Sequence, residues 1–303
     1  MGRRKQAGAF FRPPALSAAT VALVFASLAV ASQPAEPTKD RPPEVEAKKS
    51  ARLHEIYLRD ASEYEFSLDA ERRQALELRR EPAMRWTSEG DYHGEVYVWT
   101  NRGQAAIVGC FFSGPQGEGA RRVMHEFHSV ASQPIVAAER RGTGWHSQEA
   151  GISLTPIPNA PKPDPSKTRR LTQMRAIARR FSSHVERTNR DWDLRLLPQP
   201  IYRYERLAED SKVVDGAVFA FVWSVGTDPE VLLVIEARRT DQDQDAQWYF
   251  APARFTNREA WVRHEDREVW RVKAATAGIF DGVTSKPYGV FSVKTIPNQE
   301  EKP

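Results

Sequence analysis

Polar and apolar residues alternate in short runs along most of this chain, and only two stretches keep a helical period. Tyr64, Phe66 and Leu68 alternate with polar neighbours, as do Leu76 and Leu78, which predicts strands with one buried face. Pro82 then restricts its strand to an edge or a break. Residues 95–112 read as two strands around Thr100-Asn101-Arg102-Gly103, a turn in which glycine supplies positive φ. Residues 122–131, 135–139 and the segment from Trp145 read as further short strands. Residues 217–223 and 231–237 are nearly continuously apolar, the pattern of strands in the middle of a sheet covered on both faces. Residues 247–255, 260–264, 268–272 and 288–295 alternate again.

The helical stretches are unequal. Leu53, Ile56 and Tyr57 give a short stripe. Leu171, Met174, Ile177, Ala178, Phe181 and Val185 give a longer one, with Ser166 available as its cap. Arg169, Arg175, Arg179 and Arg180 occupy the rest of that helix, a solvated basic face or, as the alternative, an anion site. The class this predicts is α+β: mainly antiparallel β-sheet with a few helices.

Part of the pattern occurs twice. Leu76, Leu78, Pro82, Arg85 and Trp86 fall in step with Leu194, Leu196, Pro200, Arg203 and Tyr204. Downstream, Gly94, Val96, Tyr97 and Trp99 are echoed by Gly216, Val218, Phe219 and Phe221. Farther on, Phe127 falls near Phe250 and Trp145 near Trp270. Two related halves packed into one body would explain this; any two antiparallel meanders looking alike is the alternative. The boundaries follow: residues 1–31 a signal peptide, 32–50 a disordered tether, 51–155 the first half, 156–165 a Pro-rich connector, 166–296 the second half and 297–303 a flexible tail.

The first residues change how the charge is read. Arg3, Arg4, Lys5 and Arg12 precede an uncharged apolar run from Ala15, and Ala29-Val30-Ala31 offers a peptidase its small-x-small pattern. The expectation is export to the periplasm or beyond, with an uncleaved membrane anchor as the alternative. The formal charge of +4 belongs wholly to that leader: without its four basic residues, 40 Lys+Arg balance 40 Asp+Glu. A nucleic-acid partner loses its main support. Cys110 is the only cysteine, so no internal disulfide forms, and its apolar surroundings mark a buried thiol.

Candidate chemistry is sparse. His125-Glu126-Phe127-His128 offers His125, Glu126 and His128 as catalytic candidates, yet on a strand the two histidines point to opposite faces. A third imidazole would have to come from His93 or His146, so no metal and no cofactor are expected. Asp241, Asp243 and Asp245 open like a calcium loop but lack its glycine and its closing glutamate. Glu236, inside an apolar strand, is either an acid of raised pKa or half of an ion pair. No partner carboxylate can be assigned to it for glycosidase chemistry. Nucleophile elbows, phosphate loops and dinucleotide fingerprints do not occur. Trp86, Trp99, Trp145, Trp223, Trp248, Trp261 and Trp270 fall mostly in strands, either as core or as an aromatic face for a ligand.

Residues 94–100, 125–129, 170–175, 194–204, 215–221 and 226–230 resemble an uncharacterised family of exported bacterial proteins, across about residues 75–272. The resemblance implies export and carries no activity, ligand or site residue. The leading expectation is a non-enzymatic module that binds a protein or small ligand through a sheet face or the concavity between halves. An exported hydrolase or metal-dependent enzyme and an anchored envelope component are the alternatives.

Overall fold

The computed structural model describes residues 43–298, apart from 118, 139–143, 210, 225, 241–244 and 276–284. The first part of the chain runs α1 (Pro43–Ser62), β1 (Phe66–Ser67), β2 (Glu77–Leu78), β3 (Met84–Ser88), β4 (Tyr92–Asn101), β5 (Gln104–Pro115), β6 (Ala120–Ser129), β7 (Val136–Ala137) and β8 (Thr155–Pro156). The second runs α2 (Lys167–Ala178), β9 (Phe181–Arg187), β10 (Arg190–Leu196), β11 (Tyr202–Arg203), β12 (Val213–Val222), β13 (Pro229–Arg238), β14 (Gln247–Arg254), β15 (Ala260–His264), β16 (Arg267–Val272) and β17 (Tyr288–Pro297). The class is α+β, as the alternation predicts.

Two sheets carry the fold. A six-stranded sheet has the order β17-β6-β5-β4-β2, with β3 also on β4. A nine-stranded sheet has the order β16-β15-β9-β10-β12-β13-β14-β8, with β11 also on β12. Alternation sorts each strand's side chains between two faces. Val96, Val98, Val108 and Cys110 of the first sheet meet Val218, Ala220, Leu232 and Val234 of the second in a shared core. Tyr97, Trp99, Phe111 and Phe127 turn outward and are covered by Leu53, Tyr57 and Ala61 of α1. Phe219, Phe221, Leu233 and Ile235 are covered by Met174, Ile177 and Ala178 of α2. The layers are therefore helix, sheet, sheet, helix. The continuously apolar β12 and β13 sit mid-sheet with both faces buried, as expected.

The two sheets share a register. Leu78 pairs with Trp99, Met84 with Val96 and Arg85 with Glu95. Their counterparts pair alike: Leu196 with Phe221, Tyr202 with Val218 and Arg203 with Ala217. The match continues through the hairpins, where Val96↔Cys110↔Glu126 corresponds to Val218↔Val234↔Ala251. Each sheet also lays a ring over a strand glycine. A side chain on Gly94 would enter the ring of Trp86, and one on Gly216 the ring of Tyr204. Burial at Leu53, Tyr57, Asp60 and Ala61 of α1 recurs at Arg170, Met174, Ile177 and Ala178 of α2. This register sets His125, rather than Phe127, opposite Phe250, and no strand pairing relates Trp145 to Trp270.

Several expected boundaries shift. The tether expected through residue 50 is helical from Pro43. Proline is well placed in a first turn, Glu44 and Glu46 favour that end, and the segment's Ala, Glu and Lys are good helix formers despite their polarity. The second helix stops at Ala178, and Phe181 and Val185 are buried residues of β9 that continued the helical spacing by coincidence. Ser166 stands at the cap position but makes no side-chain cap bond. Trp145 begins no strand; it is a fully buried residue of a loop held by the bridge between Ile135 and Ser147. The connector is not a free tether at its start, because β8 pairs with β14 and Ile157 joins the α2 core. The last strand of the second half, β17, lies on β6 of the first sheet. The last strand of the chain thus completes the first sheet, and β8 completes the edge of the second.

Candidate functional site

The three sequence candidates lie on β6 and divide between its faces. His125 turns toward α1. Its Nε2 lies 3.2 Å from Asp60 Oδ2, and its Nδ1 2.8 Å from the Tyr64 hydroxyl. Lys294 donates to the other Asp60 oxygen at 2.6 Å. Burial raises the Asp60 pKa, but the hydrogen bonds from His125 and Lys294 outweigh it and the carboxyl ends below its ordinary value. Glu126 and His128 turn the other way, between the sheets. Tyr288 donates to Glu126 at 2.5 Å, and His128 Nδ1 donates to Ser129 O at 2.7 Å. Burial pushes the Glu126 carboxyl well up, with the charges of Asp228 and Glu230 adding to it. Burial takes the His128 imidazole down to about 4, so it stays neutral at physiological pH. His93 lies apart from all three, beside Asp91, and His146 contacts Gly144 O. Among the described residues no three His, Cys, Asp or Glu side chains cluster as metal ligands.

A second polar group docks α1 on its sheet. Glu95, 5% exposed inside an apolar strand, accepts His54 Nδ1 at 2.9 Å, Arg85 Nε at 2.9 Å and the Tyr97 hydroxyl at 2.5 Å. Buried Arg121 donates to Asp91 Oδ2 at 2.7 Å and to Ser113 Oγ at 3.1 Å, and Lys49 also pairs with Asp91. Burial opposes the Asp91 charge, but Lys49 and His93 hold the pKa at about 2. These acids are matched by cations in hydrogen-bonding contact, which is how a buried charge is tolerated. Glu236 resolves in the same way. It accepts from Tyr204 at 2.7 Å, Gln104 at 3.0 Å and Arg238 at 2.8 Å, the ion pair among the two readings of this residue.

The register makes two contacts between the halves comparable. In one, the turn joining β4 to β5 reaches the chain just after β11. Only Arg102 and Gly103 lie between the paired Asn101 and Gln104. Gly103, at φ +80°, sits directly on the backbone of Glu205, where a Cβ would overlap its carbonyl. Glu205 N donates to Gly103 O at 3.2 Å, and the Tyr202 hydroxyl donates to the same oxygen at 2.8 Å. This contact is shut.

Its counterpart is the turn joining β12 to β13, which reaches β3. Here six residues lie between the paired Val222 and Pro229. A Cβ on Gly226 would lie 3.4 Å from Ser88 Cβ, an ordinary contact. The longer turn leaves a cavity of about 380 Å³. One wall carries Trp86, Ser88, Glu89, Tyr92 and Phe112 of the first half, and the other Arg187, Trp223, Asp228, Glu230 and Arg258 of the second. A smaller cleft of about 190 Å³, on the α1 side of Trp86, is lined by Tyr57, His93, Glu95 and Thr227.

The acids of the larger cavity differ from those of the shut contact. Asp228 and Glu230 keep some exposed surface but are otherwise ringed by protein. Burial raises the Asp228 pKa well above its ordinary value, and the Glu230 charge raises it further. Burial likewise raises Glu230, against weaker help from Thr256, Arg258 and Arg187. Glu230 Oε2 is enclosed and has no hydrogen-bond partner among the described residues. Burial and mutual repulsion disfavour the charged form of both carboxyls, which makes hydrogen-bond donors from outside the protein favourable partners here.

Sequence reading missed most of this. Thr227-Asp228-Pro229-Glu230 has the composition of a turn, which gives no sign that its acids line a cavity. Trp192, one of the few exposed large apolar residues at 39%, meets Trp223 in a tilted contact with ring centroids 5.5 Å apart. Glu95 was findable as an acid at an inward position of an apolar strand. Asp241 and Asp243 lie outside the described residues, and Asp245 pairs with Lys162 at 2.5 Å. No helix among the described residues is long and apolar enough to cross a membrane. No protein-family profile, curated protein or solved structure matches this chain.

Proposed function

We propose that this is an exported binding protein whose small ligand enters the cavity between the β12–β13 turn and β3. One observation carries the reading. Two equivalent contacts join the halves; one is sealed by backbone, and the other is propped open and lined with rings and acids, of which Glu230 keeps an unbonded oxygen. Polar groups that a fold does not need are found where function needs them. A volume of about 380 Å³ falls at the small end of ordinary small-molecule sites.

Two features of the sequence join this proposal. The shared register, the paired ring-on-glycine contacts and the exchanged final strands support descent of the halves from one duplicated unit. The charged leader and its apolar run support export, which N-terminal sequencing of secreted protein tests by a start at Ser32.

A thermal-shift screen of neutral saccharides, amines, carboxylates, phosphates and nucleosides tests the site itself. The expected result is a ligand that raises the melting temperature of the wild type but not of Ser88→Trp, in which an indole fills the cavity. Ligands that stabilise both proteins equally, or none that stabilises the wild type, overturn the reading.

A further inference from the structure

The chemistry of the cavity wall narrows its ligand. Tyr92 is 41% exposed, and its ring packs against the backbone of Gly114, where a Cβ would enter the ring. The ring is held on that side while much of it stays exposed beside the cavity it lines. An exposed ring held in place by packing suits a flat apolar surface. Exposed Trp192, in contact with half-buried Trp223, extends the aromatic surface on the second-half wall.

The charges weigh against the other partners that such rings attract. A cationic ligand would use the face of Trp223, but the guanidinium of Arg187 already lies 5.2 Å over that ring. An anionic ligand would meet Asp228, Glu230 and Glu89 on the same wall system. Arg187 and Arg258 offset those acids, so neither sign dominates. What remains is a neutral molecule with an apolar face and an edge of groups that both donate and accept hydrogen bonds. The guanidiniums of Arg187 and Arg258 donate, and the carboxyl oxygens of Asp228 and Glu230 accept.

We propose that the ligand is a neutral carbohydrate, one sugar face stacked on Tyr92 and its hydroxyls bonded to Asp228, Glu230, Arg187 and Arg258. This rests on the cavity reading above and gives it a substrate class.

Binding of neutral gluco- and N-acetylglucosamine oligosaccharides, on an array and then by calorimetry, tests it. Tyr92→Ala removes an exposed ring and is not expected to unfold the protein. Asp228→Asn keeps the shape of the wall. Glu268→Gln, toward the far end of the β9–β15–β16 edge from Arg187, is the control. The expected result is at least one saccharide bound, weakened tenfold or more by Tyr92→Ala and by Asp228→Asn and unchanged by Glu268→Gln. Saccharide binding that survives Tyr92→Ala overturns the proposal. If a charged ligand is lost in Ser88→Trp while every saccharide fails, the carbohydrate assignment falls and the cavity reading stands. If no ligand depends on the cavity, both fall.

Discussion

The two contacts between the halves begin from the same strand register and end with opposite properties. Where the β4–β5 turn meets the chain after β11, a two-residue connection brings glycine onto backbone, and buried Glu236 has three donors. Where the β12–β13 turn meets β3, a six-residue connection stands off and Glu230 Oε2 behind it lacks a donor. Four extra residues in a turn cost little loop entropy. They change whether the space behind the turn is filled by the protein or left open. Closed contacts repay their polar groups in stability, whereas open ones give stability up for binding.

The largest effect that could break this comparison comes from its two glycines. Gly103→Ala forces a side chain into the Glu205 backbone at positive φ, and about 3 kcal/mol or more of stability should be lost. Gly226→Ala meets only van der Waals contact and should change stability by less than about 0.5 kcal/mol. Urea denaturation of both variants checks this, and equal losses would mean the second contact is as tight as the first.

A smaller effect sharpens the same contrast under the helices. Tyr64, Asp60 and His125 stand where the second half has Phe181, Ile177 and Phe250, by burial along the helices and by strand register. Both arrangements pack: Tyr64 and His125 ring centroids are 5.6 Å apart, and those of Phe181 and Phe250 4.9 Å. His125→Phe alone takes a partner from buried Asp60 and should cost about 2 kcal/mol. Adding Asp60→Ile and Tyr64→Phe, the second half's own set, should recover most of that loss, to within about 1 kcal/mol of wild type. A triple variant less stable than the single one would separate the two layers and remove this support for duplication.

The sequence disclosed what local periodicity encodes. Continuous apolar runs marked β12 and β13 as central strands, and the turn at Gly103 was visible from composition. The placement of β8 and β17 was not, because alternation states which face of a strand is buried and is silent on which strand lies beside it. The end of α2 was hidden when Phe181 and Val185 kept the helical spacing inside a strand. The acids of the cavity were hidden for another reason. Asp228-Pro229-Glu230 has ordinary turn composition, and its chemistry appears only when Trp86, Tyr92 and Phe112 from a distant part of the chain close over it.

The most direct test needs no ligand, because it compares one acid from each contact. Glu236→Gln breaks the ion pair with Arg238 in the shut contact and should lower stability by about 2 kcal/mol at pH 7. Asp228 has a raised pKa in the folded protein, so its folded-state contribution is intact below about 3.8 and is lost as the pH rises. Asp228→Asn should therefore raise stability by about 1 kcal/mol at pH 7, with the gain fading as the pH falls toward 4. Urea midpoints of the two variants at both pH values decide the matter. Shifts of opposite sign at pH 7 are the predicted result, and a loss of stability in both would contradict the division between a closed contact and the open one proposed to bind a ligand.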